Sequence, residues 1–367
     1  MGAPTDRSIH FVNALFRRSL VSWFKRDGRK LPWRETTDPY RILVSELMLQ
    51  QTQVATVLER YERWFNRFPT VNALAEAPES AVLHEWQGLG YYQRARNLHR
   101  CARTIVDHFD GVFPATVREL SSLPGVGRYT VGAIMSFAFD RPAPIVDANV
   151  ARVLSRLIDL EEPIDRGSGK KVLWDAAARH AAGPQPGLLN SALMELGALI
   201  CVPRKPRCVI CPVREFCRAR DPESLPKKSP RPAIERRIER YLFIQRSNQI
   251  LVQQNVGKRW RGLWSLPQRL GTGASDNLAE PIVALRHPIT RFVVQLEVFR
   301  GSPPSILEEG QRWCSINELD QLPMPSPHRR ALEQALDLAR GAERSAYPWD
   351  ENDGCWSRAQ SLPLSRL

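Results

Sequence analysis

Leu123-Pro124-Gly125-Val126-Gly127 joins two helical patterns, residues 117–122 and 128–139. The two glycines carry no side chain, so the backbone there can approach a phosphate group closely. The helix that follows would point free N–H groups at the same phosphate. Pro-Gly-x-Gly also occurs in ordinary turns between helices. The pattern therefore leaves two interpretations open, a phosphate-binding hairpin between helices and a plain connection.

The sequence around this hairpin is helical for about two hundred residues. From Ile9 to about Arg220, apolar residues recur with helical spacing, and no run alternates as a strand would. Residues 221–240 then combine four prolines with several lysines and arginines, which predicts an exposed basic linker. The first 220 residues are therefore predicted to form one all-helical region.

A second, smaller domain is predicted at residues 241–340. Short β-type runs occur at 241–245, 250–254 and 291–299, and a helical pattern follows at 326–340. This order indicates a mixed α/β fold. Residues 341–367 are polar and show no periodicity, which predicts a disordered tail.

The charge and hydropathy limit the class of partner. The formal net charge is +13 and the isoelectric point is about 9.8, so the protein attracts polyanions, of which nucleic acid is the commonest. The longest apolar run, residues 42–49, is much shorter than the roughly 20 residues that cross a bilayer, so no membrane span is predicted. The amphipathic stretch 9–24 lacks a cleavage site and is predicted to be a folded helix.

Four of the seven cysteines lie within seventeen residues, Cys201, Cys208, Cys211 and Cys217. Such a cluster indicates a metal site in a reducing compartment, not a disulfide framework. Zinc sites usually pair two C-x2-C elements, and only one is present here, whereas a cubane cluster tolerates unequal loops. The spacing favours an iron–sulfur cluster over zinc and leaves zinc open. Arg204, Lys205, Arg207 and Arg214 place cations on the same loop, where they could contact phosphates.

Two carboxylates occupy positions suited to catalysis. Glu46 lies on a largely apolar helix face, and desolvation there would raise its pKa and keep it protonated for use as a general acid. A Glu at an interface, paired with an arginine, is the alternative. Asp147 precedes a helical pattern and is a natural N-cap. A capped carboxylate held ionised by helix amides also suits a developing positive charge.

Taken together, these segments resemble the MutY-type adenine DNA glycosylases of the endonuclease III-like, helix-hairpin-helix superfamily, over residues 8 to 335. The residues that carry the resemblance are Leu31-Pro32-Trp33-Arg34, Ser45 to Gln53, Gly88-Leu89-Gly90-Tyr91-Tyr92 with Arg94 and Arg96, the hairpin with Arg128-Tyr129-Thr130, the Asp147 segment and the four cysteines.

The resemblance implies a six-helix barrel module at about 37–145, an iron–sulfur module at about 8–36 plus 146–220, and a Nudix-like recognition domain at 241–340. It implies a [4Fe-4S] cluster on the four cysteines. Part of the Nudix likeness lies in residues 262–267, and no acidic run of the Nudix hydrolase type occurs in residues 241–340.

The resemblance also implies how each site residue acts. Glu46 would protonate the flipped adenine, and Asp147 would stabilise the oxocarbenium-like sugar, as in two-carboxylate glycoside cleavage. Tyr129 and Asn149 would support Asp147. The residues implied to contact DNA are Arg34, Gln51, Tyr91, Gly125, Val126, Gly127 and Thr290. Of these, Gln51 and Tyr91 would fill the space left by the extruded nucleotide.

Two departures from the family pattern and one diagnostic residue refine the expectation. The lesion-reading loop reads Ile289-Thr290-Arg291 without the usual aromatic residue and His, and Ala148 replaces the usual Gly. Tyr129 stands where bifunctional relatives have a Lys that forms a Schiff base, which predicts base removal without efficient strand cleavage.

The predicted substrate is double-stranded DNA with adenine opposite 8-oxoguanine or guanine, handled by a monomeric protein without membrane contact, in the cytoplasm of a bacterium and on its nucleoid. Three alternatives stay open. They are an endonuclease III-type glycosylase with lyase activity, a thymine mismatch glycosylase, and a non-catalytic iron–sulfur protein that binds DNA.

Overall fold

The computed structural model describes residues 14–230, 233–257, 259–269, 280–289 and 291–345. They divide between two compact units. The first unit runs to Ala233 and also includes Val256–Leu263 and Asp320–Pro325. The second comprises Ile234–Asn255, Trp264–Leu319 and the chain from Ser326 onward. Val256–Leu263 and Asp320–Pro325 lie within residues 241–340, which were predicted to form one continuous second domain. Sequence periodicity cannot show that such segments pack with the first unit.

The first unit is built from helices, as the periodicity predicts. They are α1 (Ala14–Asp27), α2 (Pro39–Leu49), α3 (Val54–Arg67), α4 (Val71–Glu76), α5 (Glu79–Glu85), α6 (Gln93–Phe109), α7 (Val117–Ser122), α8 (Arg128–Ala133), α9 (Ala148–Leu157), α10 (Gly167–Ala181) and α11 (Pro186–Leu199). Within the described part of the chain, no helix is long and apolar enough to cross a bilayer.

The predicted hairpin lies between α7 and α8. Thr116 caps α7 by accepting a hydrogen bond from the Glu119 N–H at 3.2 Å. Gly125 has a φ of +77°, and a Cβ atom there would lie 2.5 Å from Cβ of Asn97. Glycine is therefore required for both the turn and the contact. The helix predicted at 128–139 differs from expectation, because α8 gives way to a π-helical turn at Ile134–Ala138.

Two groups of buried apolar side chains form the core of the first unit. The first group draws on α2 to α8, and the second on α1, α9, α10 and α11. Helix α8 contributes to both, through Val131 to the first group and Ala133 to the second. Three of the four clustered cysteines, Cys201, Cys211 and Cys217, pack against the second group.

The second unit is a mixed α/β fold, as predicted. Its elements are β1 (Glu235–Phe243), β2 (Gln245–Arg246), β3 (Gln249–Gln254), β4 (Trp264–Ser265), β5 (Val283–Ile289), β6 (Phe292–Arg300), β7 (Gln311–Ser315) and α12 (Ser326–Ser345). One sheet has the order β1-β6-β5, in which β1 and β6 are parallel. In the other, β3 pairs with β2, β4 and β7.

Two predicted boundaries move. Strand β1 begins at Glu235, inside the predicted linker 221–240, because its register with β6 starts at the pair Glu235 and Phe292. Helix α12 continues to Ser345, five residues into the predicted tail. The rest of that tail, residues 346–367, lies outside the described residues.

Candidate active site

A cavity of about 610 Å³ in the first unit collects most of the predicted site residues. Its walls come from α2, from the start of α8 and α9, and from α11. The predicted residues that line it are Glu46, Asp147, Tyr129, Asn149, Arg34 and Gln51. A neighbouring cavity of about 400 Å³ shares Glu46 and Arg34 with it. The acid and the second carboxylate therefore line the same cavity.

Glu46 is almost completely buried on α2, with 4% of its surface exposed. Asp38 caps the start of α2, because its side chain accepts a hydrogen bond from the Tyr40 N–H. Pro39 follows at the first helical position, which suits proline. Burial raises the pKa of Glu46 to about 7, and the Asp147 carboxylate raises it as well. A hydrogen bond from Tyr129 and the charge of Arg34 oppose this shift. As its apolar helix face predicts, Glu46 can hold a proton near neutral pH.

Tyr129 fixes where that proton lies. Its phenol O–H donates to Oε2 of Glu46 at 2.6 Å. Burial and the neighbouring Glu46 raise the pKa of Tyr129 well above its usual value, so the phenol stays protonated and acts as a donor. Because Oε2 accepts this bond, the acidic proton of Glu46 is left to Oε1. The tyrosine thus contacts Glu46, whereas the sequence predicted support for Asp147.

Asp147 is the N-cap of α9 and a wall of the same cavity. Its Oδ1 accepts a hydrogen bond from the Val150 N–H at 2.7 Å, and its Oδ2 accepts one from the Asn149 side chain at 3.1 Å. Burial nevertheless raises the pKa of Asp147, although these hydrogen bonds lower it. Burial therefore opposes the helix amides that the sequence predicted to favour the ionised form of Asp147. Ionisation of Asp147 therefore costs desolvation free energy, which its hydrogen bonds only partly offset.

Asn149 connects Asp147 to the cysteine loop. Its side-chain oxygen accepts a hydrogen bond from Nη2 of Arg152 at 2.9 Å. The Arg152 Nε–H in turn donates to the carbonyl of Cys201 at 2.7 Å. The orientation of the Asp147 carboxylate is thus coupled to the position of the loop.

Sequence reasoning missed Glu195, a fully buried carboxylate on α11 that lines the same cavity. It receives hydrogen bonds from Nε of Arg29 at 2.7 Å and from Nη2 of Arg34 at 2.8 Å. Burial raises the pKa of Glu195, but these bonds outweigh it and lower the pKa to about 2. The sequence did contain a signal for Glu195, because it is the one acidic residue in the apolar helix 186–199. Glu46 was identified by the same feature, a carboxylate on an apolar helix face.

The other residues predicted to contact DNA lie on loops. Gln51 lies at the edge of the cavity with a φ of +57°, and Tyr91 has a φ of +45° and 49% of its surface exposed. Gly125, Val126 and Gly127 form the hairpin, and they do not contribute to the cavity walls. Thr290 lies outside the described residues.

The four clustered cysteines lie on one loop after α11. Burial raises the pKa of Cys211, as do the nearby thiols of Cys201, Cys217 and Cys208. The buried Arg156 donates to Sγ of Cys201 at 3.2 Å. Four cysteine thiolates are the ligand set of a [4Fe-4S] cluster, and the other three thiols lie near enough to Cys211 to affect its pKa, so these residues fit that cofactor.

Three segments of the chain match known protein families. Residues 44–174 match the HhH-GPD superfamily base excision DNA repair proteins. Residues 201–217 match the iron–sulfur binding domain of endonuclease III, and residues 240–334 match the NUDIX domain. The iron–sulfur match confirms the predicted cluster and resolves the choice that the spacing left open with zinc.

Adenine DNA glycosylases are among the relatives. One from Buchnera aphidicola subsp. Schizaphis graminum is 32% identical over 342 residues, which cover 87% of this chain and 98% of the relative. Another, from Buchnera aphidicola subsp. Baizongia pistaciae, is 36% identical over 69% of this chain and 74% of the relative. The chain belongs to the adenine DNA glycosylase family.

A longer relative shares only part of its length with the chain. The adenine DNA glycosylase of Rattus norvegicus is 45% identical over 213 residues, which cover 56% of this chain and 41% of the relative. The matches to the HhH-GPD superfamily and to the NUDIX domain confirm the predicted helix-hairpin-helix fold and the Nudix-like second domain.

Proposed function

We propose that the protein hydrolyses the N-glycosidic bond of adenine in double-stranded DNA, at adenine paired with 8-oxoguanine or guanine. The observation that carries this proposal is the pairing of Glu46, whose pKa is raised to about 7, with Asp147 in one cavity. A neutral acid and a potential anion around one space are what glycosidic bond cleavage requires. The protein acts as a monomer in the reducing cytoplasm, on the nucleoid.

The first step is protonation of the base. The proton on Oε1 of Glu46 moves to an imidazole-ring nitrogen of the extruded adenine. The electron pair of the glycosidic bond then leaves with the base, which departs as neutral adenine and leaves a positive charge on the sugar. A carboxylic acid with a pKa near 7 is well matched to this transfer at neutral pH.

Asp147 stabilises the sugar cation. Its charged form is disfavoured by burial in the free protein, so a cation that forms beside it restores a favourable pairing. Water then adds to the sugar carbon and gives one proton to the Glu46 carboxylate, which regenerates the acid. Asn149 keeps the Asp147 carboxylate oriented through the 3.1 Å hydrogen bond.

Arg34 offers a hydrogen-bond donor in the cavity wall. The buried Glu195 carboxylate holds its guanidinium through a 2.8 Å hydrogen bond, and the remaining N–H groups of Arg34 can donate to a ring nitrogen of the extruded base. Glu195 itself already accepts from Arg29 and Arg34 and supports the base only through Arg34.

Glu195→Gln is expected to lower both stability and adenine release. Arg29 and Arg34 lose the buried carboxylate that neutralises them, and breaking a buried pair costs about 3–5 kcal/mol. We expect a lower melting temperature in a thermal unfolding experiment and slower adenine release. Glu35→Gln, next to this network in sequence, serves as a control. An unchanged melting temperature of the Glu195 variant would contradict the argument.

The remaining DNA contacts complete the proposal. Gln51 and Tyr91 occupy the space that the extruded nucleotide leaves, and the hairpin from Gly125 to Gly127 holds a phosphate group. Thr290 supplies a hydrogen bond to the base opposite adenine. Cys201, Cys208, Cys211 and Cys217 would hold an iron–sulfur cluster, which would link them and stiffen a loop rich in cations.

Tyr129→Phe is expected to move the pH profile of adenine release. The tyrosine O–H lowers the pKa of Glu46, so its removal raises that pKa above about 7. Glu46 then stays protonated to higher pH, and the alkaline limb of the rate profile shifts upward in pH. Single-turnover rates measured from pH 5 to 9 check this. An alkaline limb that stays in place or moves down would exclude the predicted coupling.

The experiment that tests the function separates base release from strand cleavage. Purified protein is incubated with duplexes that carry adenine opposite 8-oxoguanine, adenine opposite guanine, thymine opposite guanine, or an oxidised pyrimidine. We expect free adenine from the first two duplexes and few strand breaks, because Tyr129 offers a phenol where a lyase needs an amine. Borohydride trapping of a stoichiometric adduct would contradict the monofunctional assignment, and absence of adenine release would exclude the function.

A further inference from the structure

The buried Arg94, near the start of α6, is bound to two loops at once. Its Nη1 donates to the carbonyls of Leu47, Met48 and Gln50 at 2.6, 2.9 and 2.5 Å. Its Nη2 donates to the carbonyls of Leu89 and Gly90 at 2.8 and 3.1 Å, and to the Thr52 hydroxyl at 3.2 Å. One guanidinium therefore joins the end of α2 to the segment before α6.

Each of these loops carries one residue in a strained backbone conformation. Gln51 lies between Gln50 and Thr52 with a φ of +57°, and Tyr91 follows Gly90 with a φ of +45°. Residues other than glycine adopt this region only when their surroundings hold them there. The carbonyls that Arg94 binds lie directly beside both residues, so Arg94 is placed to hold both of them.

Backbone carbonyls stabilise the positive charge of Arg94. Within the described residues, no carboxylate lies within ion-pair distance of it. Leu47 and Met48 belong to the last turn of α2, whose free carbonyls carry partial negative charge. The ring of Trp86 lies 5.3 Å from the guanidinium carbon. Burial lowers the pKa of Arg94 to about 10, which shows that keeping a charge there is costly.

Lysine cannot replace these contacts. The guanidinium presents a flat fork of five N–H donors that reaches acceptors on two sides, whereas an ammonium group donates from one point. An arginine is required because acceptors from two separate segments must be bound together.

We propose that Arg94 is a positioning residue for base extrusion, which holds Gln51 and Tyr91 at a fixed separation so that both enter the base stack together. This inference rests on the proposed function, because it assigns the two residues to the extrusion step. Arg94 does not touch the reacting atoms. It acts by keeping the two loops in their DNA-binding conformation before DNA arrives, which lowers the free-energy cost of ordering them on binding.

The test compares two duplexes that carry the same adenine opposite 8-oxoguanine. In the first duplex the flanking base pairs are normal, and in the second they are mismatched, which lowers the cost of extrusion. Arg94→Lys is expected to slow single-turnover adenine release from the first duplex about 10- to 100-fold. In the second duplex, we expect the same variant to lie within about threefold of the wild type, because the step that it impairs is easier there.

A second variant guards against misfolding of Arg94→Lys. Thr52 accepts from Arg94 and donates to the Leu89 carbonyl at 3.3 Å, so Thr52→Val removes one bridge between the loops and keeps the arginine. We expect Thr52→Val to lower the single-turnover rate of adenine release about twofold to tenfold on the first duplex, and to leave the rate on the second duplex unchanged. Arg103→Lys on the same helix, which loses a single bond to the Ala75 carbonyl, is the matched control and is expected to behave as wild type.

Extrusion is also read directly. With 2-aminopurine in place of the target adenine, the fluorescence rise on binding is expected to be smaller for Arg94→Lys and Thr52→Val than for wild type. Equal loss on both duplexes, or wild-type rates and fluorescence for both variants, would overturn the positioning role. Absence of adenine release by the wild-type protein would instead overturn the proposed function, and this inference with it.

Discussion

Replacement of Glu46 by Gln is expected to abolish adenine release. Glutamine has nearly the same shape, and its carbonyl oxygen can still accept the Tyr129 hydrogen bond, but it has no proton to transfer. General acid catalysis accounts for about 100- to 10,000-fold in rate, so we expect a single-turnover rate lower by about a thousandfold. Binding to DNA that contains an uncleavable adenine analogue should stay close to wild type. Retained turnover would remove the acid from the mechanism.

The same variant reports on the state of Glu46 through protein stability. The folded pKa is about 7 and the model-compound value is 4.5, so the folded protein holds a proton that the unfolded chain releases. The stability from this group is fully present below pH 4.5 and is lost as the pH rises through about 7, and the part lost between pH 5 and pH 8 is roughly 2–3 kcal/mol. Urea unfolding at pH 5 and pH 8 should show this loss in the wild type and a smaller one in Glu46→Gln. An equal loss in both proteins would contradict the raised pKa.

Replacement of Asp147 by Asn is expected to stop catalysis and leave the fold intact. Asparagine is as good an N-cap as aspartate, so its side-chain oxygen can still accept from the Val150 N–H and α9 keeps its start at Ala148. It carries no charge to face the sugar cation, and loss of such electrostatic stabilisation costs about 100- to 1,000-fold in rate. Because burial raises the pKa of Asp147, removing its charge should not lower the melting temperature at neutral pH.

Asp38→Asn is the matched control for this prediction. Asp38 caps α2 by the same kind of hydrogen bond, to the Tyr40 N–H at 2.9 Å, and it does not line the cavity. Single-turnover rates of the two variants should therefore differ by about two orders of magnitude while both melt near the wild type. If Asp147→Asn retained activity, the electrostatic role would be wrong. If both variants lost activity equally, helix capping would explain the effect.

The sequence alone was sufficient wherever a property depends on neighbours along the chain. The burial of Glu46 follows from the apolar residues one turn away, and the cap at Asp147 follows from its place before a helical run. The hairpin of Gly125 and the cysteine loop are local in the same sense. Strands β1 and β3 were found as short β-type runs, and β6 was found because its apolar and polar residues alternate.

Properties that depend on distant parts of the chain could not be predicted in this way. The charge of Glu195 is set by Arg29 and Arg34, which precede it by more than 160 residues. Strand β5 was missed because Pro288 and charged residues interrupt its pattern, and its place is fixed by pairing with β6. The contacts of Arg94 join segments that lie about 40 residues apart.

The two groups of core side chains have a consequence for how the cavity responds to stress. Glu46 lies on α2, which belongs to one group, and Asp147 caps α9, which belongs to the other. Neither core by itself fixes the gap across which the chemistry takes place. A nucleotide bound between Glu46 and Asp147 would contact both groups, so substrate binding would restrict the motion of α2 relative to α9.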